Sequence, residues 1–198
     1  MIVARTQGLM PATTAILGAL LCLATADPLE GQTTSNPSAP AVQPVPDVDL
    51  DRYAGRWYEV ARYPNKFQKE CTGNVVVGYA RRRDGRVDVR NTCATAKGTI
   101  EAVGVARQAD SKGPPSVLEV RFAPAILSFL PAVWGDYWIL DLAPDYSTAV
   151  VGDPTREYLW LLSRTPTVDG PTYARLVGAA RRQGFDVERL VRTPQDVP

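Results

Sequence analysis

The chain contains no histidine. That absence removes the commonest general base, the usual catalytic triads and every zinc site built on imidazole. An excess of charge is missing too: 22 basic residues stand against 21 acidic ones, which gives no electrostatic case for nucleic acid. No apolar run reaches the roughly 20 residues that cross a bilayer. Apolar residues make up 45% and charged residues 22% of the 198, which excludes wholesale disorder, a collagen-like chain and a polytopic membrane protein. One domain with one core is the expectation at this length, and no metal or cofactor is expected.

Residues 1–26 read as a signal peptide. Arg5 supplies the positive start, Ala15 to Leu23 the apolar run and Ala24-Thr25-Ala26 the small-residue cleavage site, leaving Asp27 as the mature N-terminus. Lipid attachment at Cys22 is the alternative, but Leu21 occupies the place where lipoprotein signals want a small residue. Removing the leader takes away only Arg5, so 21 basic residues remain against 21 acidic ones. Residues 27–47 carry Pro28, Pro37, Pro40, Pro44 and Pro46 among small polar residues and read as a disordered tether. The domain is expected over 48–193, with a tail at 194–198.

Within the domain, eight short β-type runs are separated by turn chemistry: Gly55 to Tyr63, Val75 to Arg82, Arg86 to Cys93, Thr99 to Arg107, Val117 to Phe122, Tyr137 to Leu142, Ala149 to Gly152 and Tyr158 to Arg164. Asp84-Gly85 predicts a two-residue type I′ hairpin turn, and Pro144-Asp145 marks another turn. Consecutive strands with no helix between them predict an all-β, antiparallel up-and-down sheet. Closing it into an eight-stranded barrel removes the exposed edges and encloses one small ligand. Pro171 begins one C-terminal helix whose Tyr173, Leu176, Val177 and Ala180 share a face against the outside of the barrel, and Gly184 ends it. Phe185 to Val191 reads as a short final strand.

Three segments, in order and at strand positions, resemble the lipocalin family, and specifically its bacterial branch with apolipoprotein D-like relatives. They are Gly55-Arg56-Trp57-Tyr58-Glu59-Val60, Gly135-Asp136-Tyr137-Trp138 at the start of the sixth strand, and Arg164 at the end of the eighth. The resemblance implies binding and transport or storage of a fatty acid, lysophospholipid or similar lipophile in the cell envelope, without catalysis. The location implied is periplasmic, outer-membrane associated or secreted. In physical terms Trp57 can plug the closed end, with the Arg164 guanidinium across its indole in a cation–π contact worth about 0.5–2 kcal/mol. Asp136 and Tyr137 read as structural positions at that same end.

After export Cys71 and Cys93 remain, an even pair in an oxidising compartment, which predicts a disulfide worth roughly 3 kcal/mol; two buried free thiols are the alternative. A two-residue turn at Asp84-Gly85 would set Cys93 opposite Val76 and Cys71 opposite Gly98, so the chain near Cys71 must bend back for the sulfurs to meet. A few lipocalins use a cysteine for isomerisation or peroxide chemistry. That reading needs Cys71 or Cys93 free with a lowered pKa.

Alternate residues of a small barrel face inward. The inward phases are expected to be Val75, Val77 and Tyr79; Leu118, Val120 and Phe122; Trp138, Leu140 and Leu142, against Tyr137, Ile139 and Asp141; and Tyr158, Trp160 and Leu162. Each residue alone reads more readily as core than as ligand contact, but together they give aromatic walls with few polar groups, as a lipophilic pocket needs. Tyr79 and Arg90 are the candidate partners of a ligand head group. Ile126, Leu127, Phe129 and Leu130 lie in a Pro-bounded connection where loops are usually polar. They predict a lid, a membrane-surface contact or a dimer contact, with packing beneath the loop as the alternative. A monomer or weak homodimer is expected, and an envelope interaction module is the third functional class.

Overall fold

The computed structural model describes residues 40–196; the leader, Cys22 and most of the tether lie outside them. Asp49 begins the regular structure: its Oδ1 accepts from the backbone N–H of Asp51 and Arg52 at 2.9 and 3.2 Å, capping a one-turn helix, α1 (Leu50–Tyr53). Strands β1 (Gly55–Arg62), β2 (Gly73–Arg81), β3 (Val87–Thr95), β4 (Gly98–Gln108), β5 (Val117–Arg121), β6 (Gly135–Leu142), β7 (Thr148–Gly152) and β8 (Leu159–Ser163) pair antiparallel in sequence, and β8 returns to β1. The result is the expected closed eight-stranded barrel.

The β2–β3 hairpin differs from the expected turn by one residue. Arg82 N–H donates to Arg86 C=O at 2.8 Å across a loop of Arg83, Asp84 and Gly85, and among these Gly85 alone has positive φ, +83°. A three-residue loop of this kind is a turn closed by a left-handed glycine, and it pairs Val76 with Thr92. The register then slips between Gly73 and Val76, where Asn74 has φ +51°. The slip and the 3-10 turn Lys66–Gln68 bring the two cysteines together: Cys71 and Cys93 are disulfide-bonded with Cα atoms 5.6 Å apart.

Strand β1 changes neighbours halfway. Gly55 to Tyr58 pair with β2, whereas Ala61 and Arg62 pair with β9 (Val191–Arg192). The final strand is therefore later than expected. Phe185 is buried beside the helix and a 3-10 turn, Val187–Arg189, comes between. The expected tail also belongs to the wall: Asn74 N–H donates to Pro194 C=O, and Gln195 Nε2 donates to Glu59 C=O and Val75 C=O, bridging β1 and β2 where they part.

Helix α2 (Gly170–Arg182) is capped by Asp169, whose Oδ1 accepts from Thr172 N–H at 2.8 Å. Its Leu176, Ala179 and Ala180 bury against Leu140, Val150, Leu159 and Leu161 on the outside of the barrel. Inside lies a second cluster with Tyr53, Trp57, Val77, Tyr79, Ile139, Val151 and Leu162. Each large apolar side chain so buried contributes about 1.5–3 kcal/mol. Part of the expected tether is packed as well: Val42 joins the cluster under α2, and Val45 N–H donates to Ile139 C=O at 2.8 Å.

Candidate functional site

The barrel encloses a cavity of about 840 Å³. Tyr53, Tyr79 and Tyr137 line its deep end; Val75, Val77, Val87, Val89, Leu118, Val120 and Leu162 form its walls; Phe67, Phe122, Trp134, Tyr158 and Trp160 surround its mouth. A volume of this size with mostly apolar walls suits one drug-sized or acyl-chain molecule.

Below the deep end the barrel is shut by fully buried Trp57. The Arg164 guanidinium lies 3.9 Å from the centre of the indole ring. It donates to the carbonyls of Arg52, Tyr53, Arg56 and Tyr146 at 2.8–3.2 Å. A Cβ at Gly55, whose φ is +98°, would come within 3.2 Å of Arg164 Nη1. The opening glycine thus leaves room for the arginine. Tyr146 completes this end: its hydroxyl accepts from Asp49 N–H at 2.9 Å, and Arg52 lies 3.9 Å over its ring.

The deep end carries a chain of hydroxyls. Tyr137 Oη is 2.8 Å from Tyr53 Oη and 2.6 Å from Tyr79 Oη. Burial pushes all three phenols above their ordinary range, so they stay protonated at neutral pH. At the mouth, Tyr158 stacks on Trp160 with centroids 5.8 Å apart. Trp160 Nε1 donates to Gln68 Oε1 at 2.9 Å, and Gln68 Nε2 donates to Glu59 Oε2 at 2.6 Å. Glu59, 3% exposed, also accepts from Arg62 at 2.8 Å and from the Thr193 hydroxyl. This network fixes the indole against the cavity. Asp136 sits at the mouth opposite Glu119 on β5, and burial, with Asp153 and Glu119 nearby, raises its carboxyl pKa.

Of the residues expected to meet a ligand, Tyr79, Phe122, Tyr158 and Trp160 line the cavity. Trp138 and Leu140 do not. They pack outside under α2, while Tyr137 and Ile139 take the inward phase of β6. Leu142 is partly buried against the inner cluster, because the register slips between Ile139 and Asp141. Arg90 points out to solvent, 66% exposed, and pairs with Glu101 at 2.9 Å; it sits between Val89 and Asn91, in the outward phase. The second block also reads differently in space. Asp136 is at the open end and Tyr137 inside, and the aromatic hydroxyl of the closed end comes from Tyr146, in the turn that Pro144-Asp145 announced. Tyr53, Asn91 and Gln68 border the cavity with no sequence expectation attached to them. Inward alternation with Val87 and Val89 could have found Asn91.

Residues 48–195 match the family of lipocalin-like domains. The chain is 42% identical over 158 residues to temperature-induced lipocalin-1 of Arabidopsis thaliana, covering 78% of this chain and 83% of that protein. It is 34% identical to the outer membrane lipoprotein Blc of Escherichia coli K12, covering 81% and 88% respectively. Lobster apocrustacyanin A1 superposes with a TM-score of 0.58 at 18% identity over 75% of this chain and 81% of that one, a likeness of fold. The matched span, the barrel and the plugged closed end agree, and the chain belongs to the lipocalin family.

Proposed function

We propose that this lipocalin binds one small lipophilic molecule in its barrel and carries or stores it in the cell envelope. The observation that carries the reading is the enclosed cavity of about 840 Å³ with aliphatic walls and an aromatic mouth. Burial of an acyl chain there supplies about 0.8 kcal/mol per methylene. The cysteine-dependent alternative loses its nucleophile, because the sulfurs of Cys71 and Cys93 are joined to each other. An envelope address, periplasmic or outer-membrane associated, is supported by the Arg5 to Ala26 leader pattern and by relatives named as outer membrane lipoproteins. Organic extraction of the purified protein followed by mass spectrometry should recover a lipophile, and a fluorescent fatty acid should be displaceable from the barrel. An empty extract together with no probe binding would reject the carrier reading.

A membrane-surface contact is the second element. Ile126 and Phe129 are 79% and 75% exposed, and Leu130 and Phe122 are exposed beside them at the mouth end. These apolar side chains project to solvent instead of packing beneath the loop, and such a patch marks an interaction surface. Flotation with liposomes should carry the protein upward, and Phe129→Asp should leave it at the bottom with ligand binding intact. Equal flotation of both proteins would remove the loop from membrane contact.

A further inference from the structure

The inward face of β3 reads Val87, Val89, Asn91, Cys93, and one member does not fit an apolar wall. Asn91 Oδ1 is buried without a hydrogen-bond partner among the described residues. An unpaired buried carbonyl opposes folding, and a valine at this place would avoid the cost. Asn91 pairs with Val77 while Tyr79 pairs with Val89, so the carboxamide lies one inward step, about 7 Å, nearer the mouth than the tyrosine chain. That chain has its own surplus. Three hydroxyls carry three protons, and the contacts of Tyr137 with Tyr53 and Tyr79 use two of them. One donor remains, whichever way the chain is oriented.

The charged groups around the cavity point the same way. Among the described lining residues Lys66 is the one cation, at the mouth beside Phe67, against Glu59, Glu101, Asp136, Asp153 and Glu157, of which Glu59 and Glu101 are paired with Arg62 and Arg90. A carboxylate drawn into the barrel would lose water, meet no internal cation and pass several carboxyl groups. An uncharged oxygen meets matched donors and acceptors.

We propose that Asn91 and the Tyr53–Tyr137–Tyr79 chain form a hydrogen-bonding subsite inside the barrel that selects lipophiles bearing a hydroxyl or a neutral carbonyl over free carboxylates. This rests on the carrier reading and narrows its ligand class. Asn91 Oδ1 accepts from a ligand hydroxyl, and its Nδ2 and the spare phenol proton donate to a ligand carbonyl. The subsite lies between the aliphatic upper walls and the plugged end, so it reads a polar group carried inward.

The test is displacement of Nile red from the intact protein at about pH 8, where a fatty acid exposed to water is ionised. The competitors are dodecanol, laurate and dodecane, added to wild type, Asn91→Leu and Tyr137→Phe. Dodecanol should displace the probe at about tenfold lower concentration than laurate, and Asn91→Leu should erase the advantage of dodecanol over dodecane while leaving dodecane unchanged or tighter. Tyr137→Phe should reduce the same advantage, and it reads the subsite independently should the leucine variant fold poorly. Laurate equal to or tighter than dodecanol, or an alcohol-to-alkane ratio that neither substitution moves, overturns the subsite and leaves the carrier reading standing. If none of the three competitors displaces the probe, the carrier reading fails with it.

Discussion

Arg164 and Trp57 lie 107 residues apart in sequence, yet the guanidinium of the one rests 3.9 Å from the ring centre of the other and binds the backbone just ahead of it, at Tyr53 and Arg56. The contact ties the end of β8 to the start of β1, where the barrel closes. Arg164→Ala removes the cation and leaves several carbonyls without their donor. A loss of about 2–4 kcal/mol in folding stability is expected, read as a lower melting temperature with ligand selectivity retained. Unchanged melting with abolished binding would contradict a closed-end role.

Two tryptophans separate the faces of the wall. Trp160 borders the cavity, whereas Trp138 packs beneath α2. Trp160→Ala is expected to weaken ligand binding about tenfold and to remove part of the ligand-induced change in tryptophan emission. Trp138→Ala should instead cost about 2–4 kcal/mol of stability and leave the binding curve in place. Titrating both variants with the same fluorescent acyl probe distinguishes the faces, and equal effects on binding would refute the assignment.

The Cys71–Cys93 bridge holds the segment after β1 against β3 at the rim of the cavity. Reduction should lower stability by roughly 3 kcal/mol through the freed loop of the unfolded chain. A thermal melt with and without reductant measures it, paired with a thiol count on the non-reduced protein. Two thiols titratable before reduction, with identical melts, would exclude the bridge.

The buried tyrosines set an alkaline limit. Burial raises the pKa of Tyr53, Tyr79 and Tyr137. Above about pH 10 the unfolded chain releases phenol protons that the folded chain keeps, so stability is retained below that pH and falls as the pH rises, by about 1.4 kcal/mol per pH unit for each proton retained. Tyr137→Phe should make the alkaline arm shallower as well as lowering the plateau. Denaturant melts from neutral to strongly alkaline pH measure the slope, and an unchanged slope in the variant would show that Tyr137 ionises normally.

The sequence by itself determined the strand order, the outer helix, the cysteine pair and the closed-end pairing of Trp57 with Arg164. The first three follow from local alternation, turn residues and a few side chains whose chemistry is fixed by type, and the last from the resemblance of its two segments to the lipocalin family. The phase of β8 rested on the match of Arg164 to the strand-end position, which anchors the register, since Leu159 and Leu161 on its other face are buried under α2. The phase of β6 was not legible. Trp138 and Leu140 are as apolar as Tyr137 and Ile139, because α2 covers the outer face of this strand and both sides are dry. Alternation identifies the inside of a barrel only where the other face meets water, so the tertiary structure alone decided that side. It also decided what no single strand reveals: that Asn91 stands unpaired on an inward face, that three tyrosines from α1, β2 and β6 meet hydroxyl to hydroxyl, and that Arg90 turns outward to Glu101. Such contacts join residues far apart in the chain, and their geometry exists only once the sheet has closed.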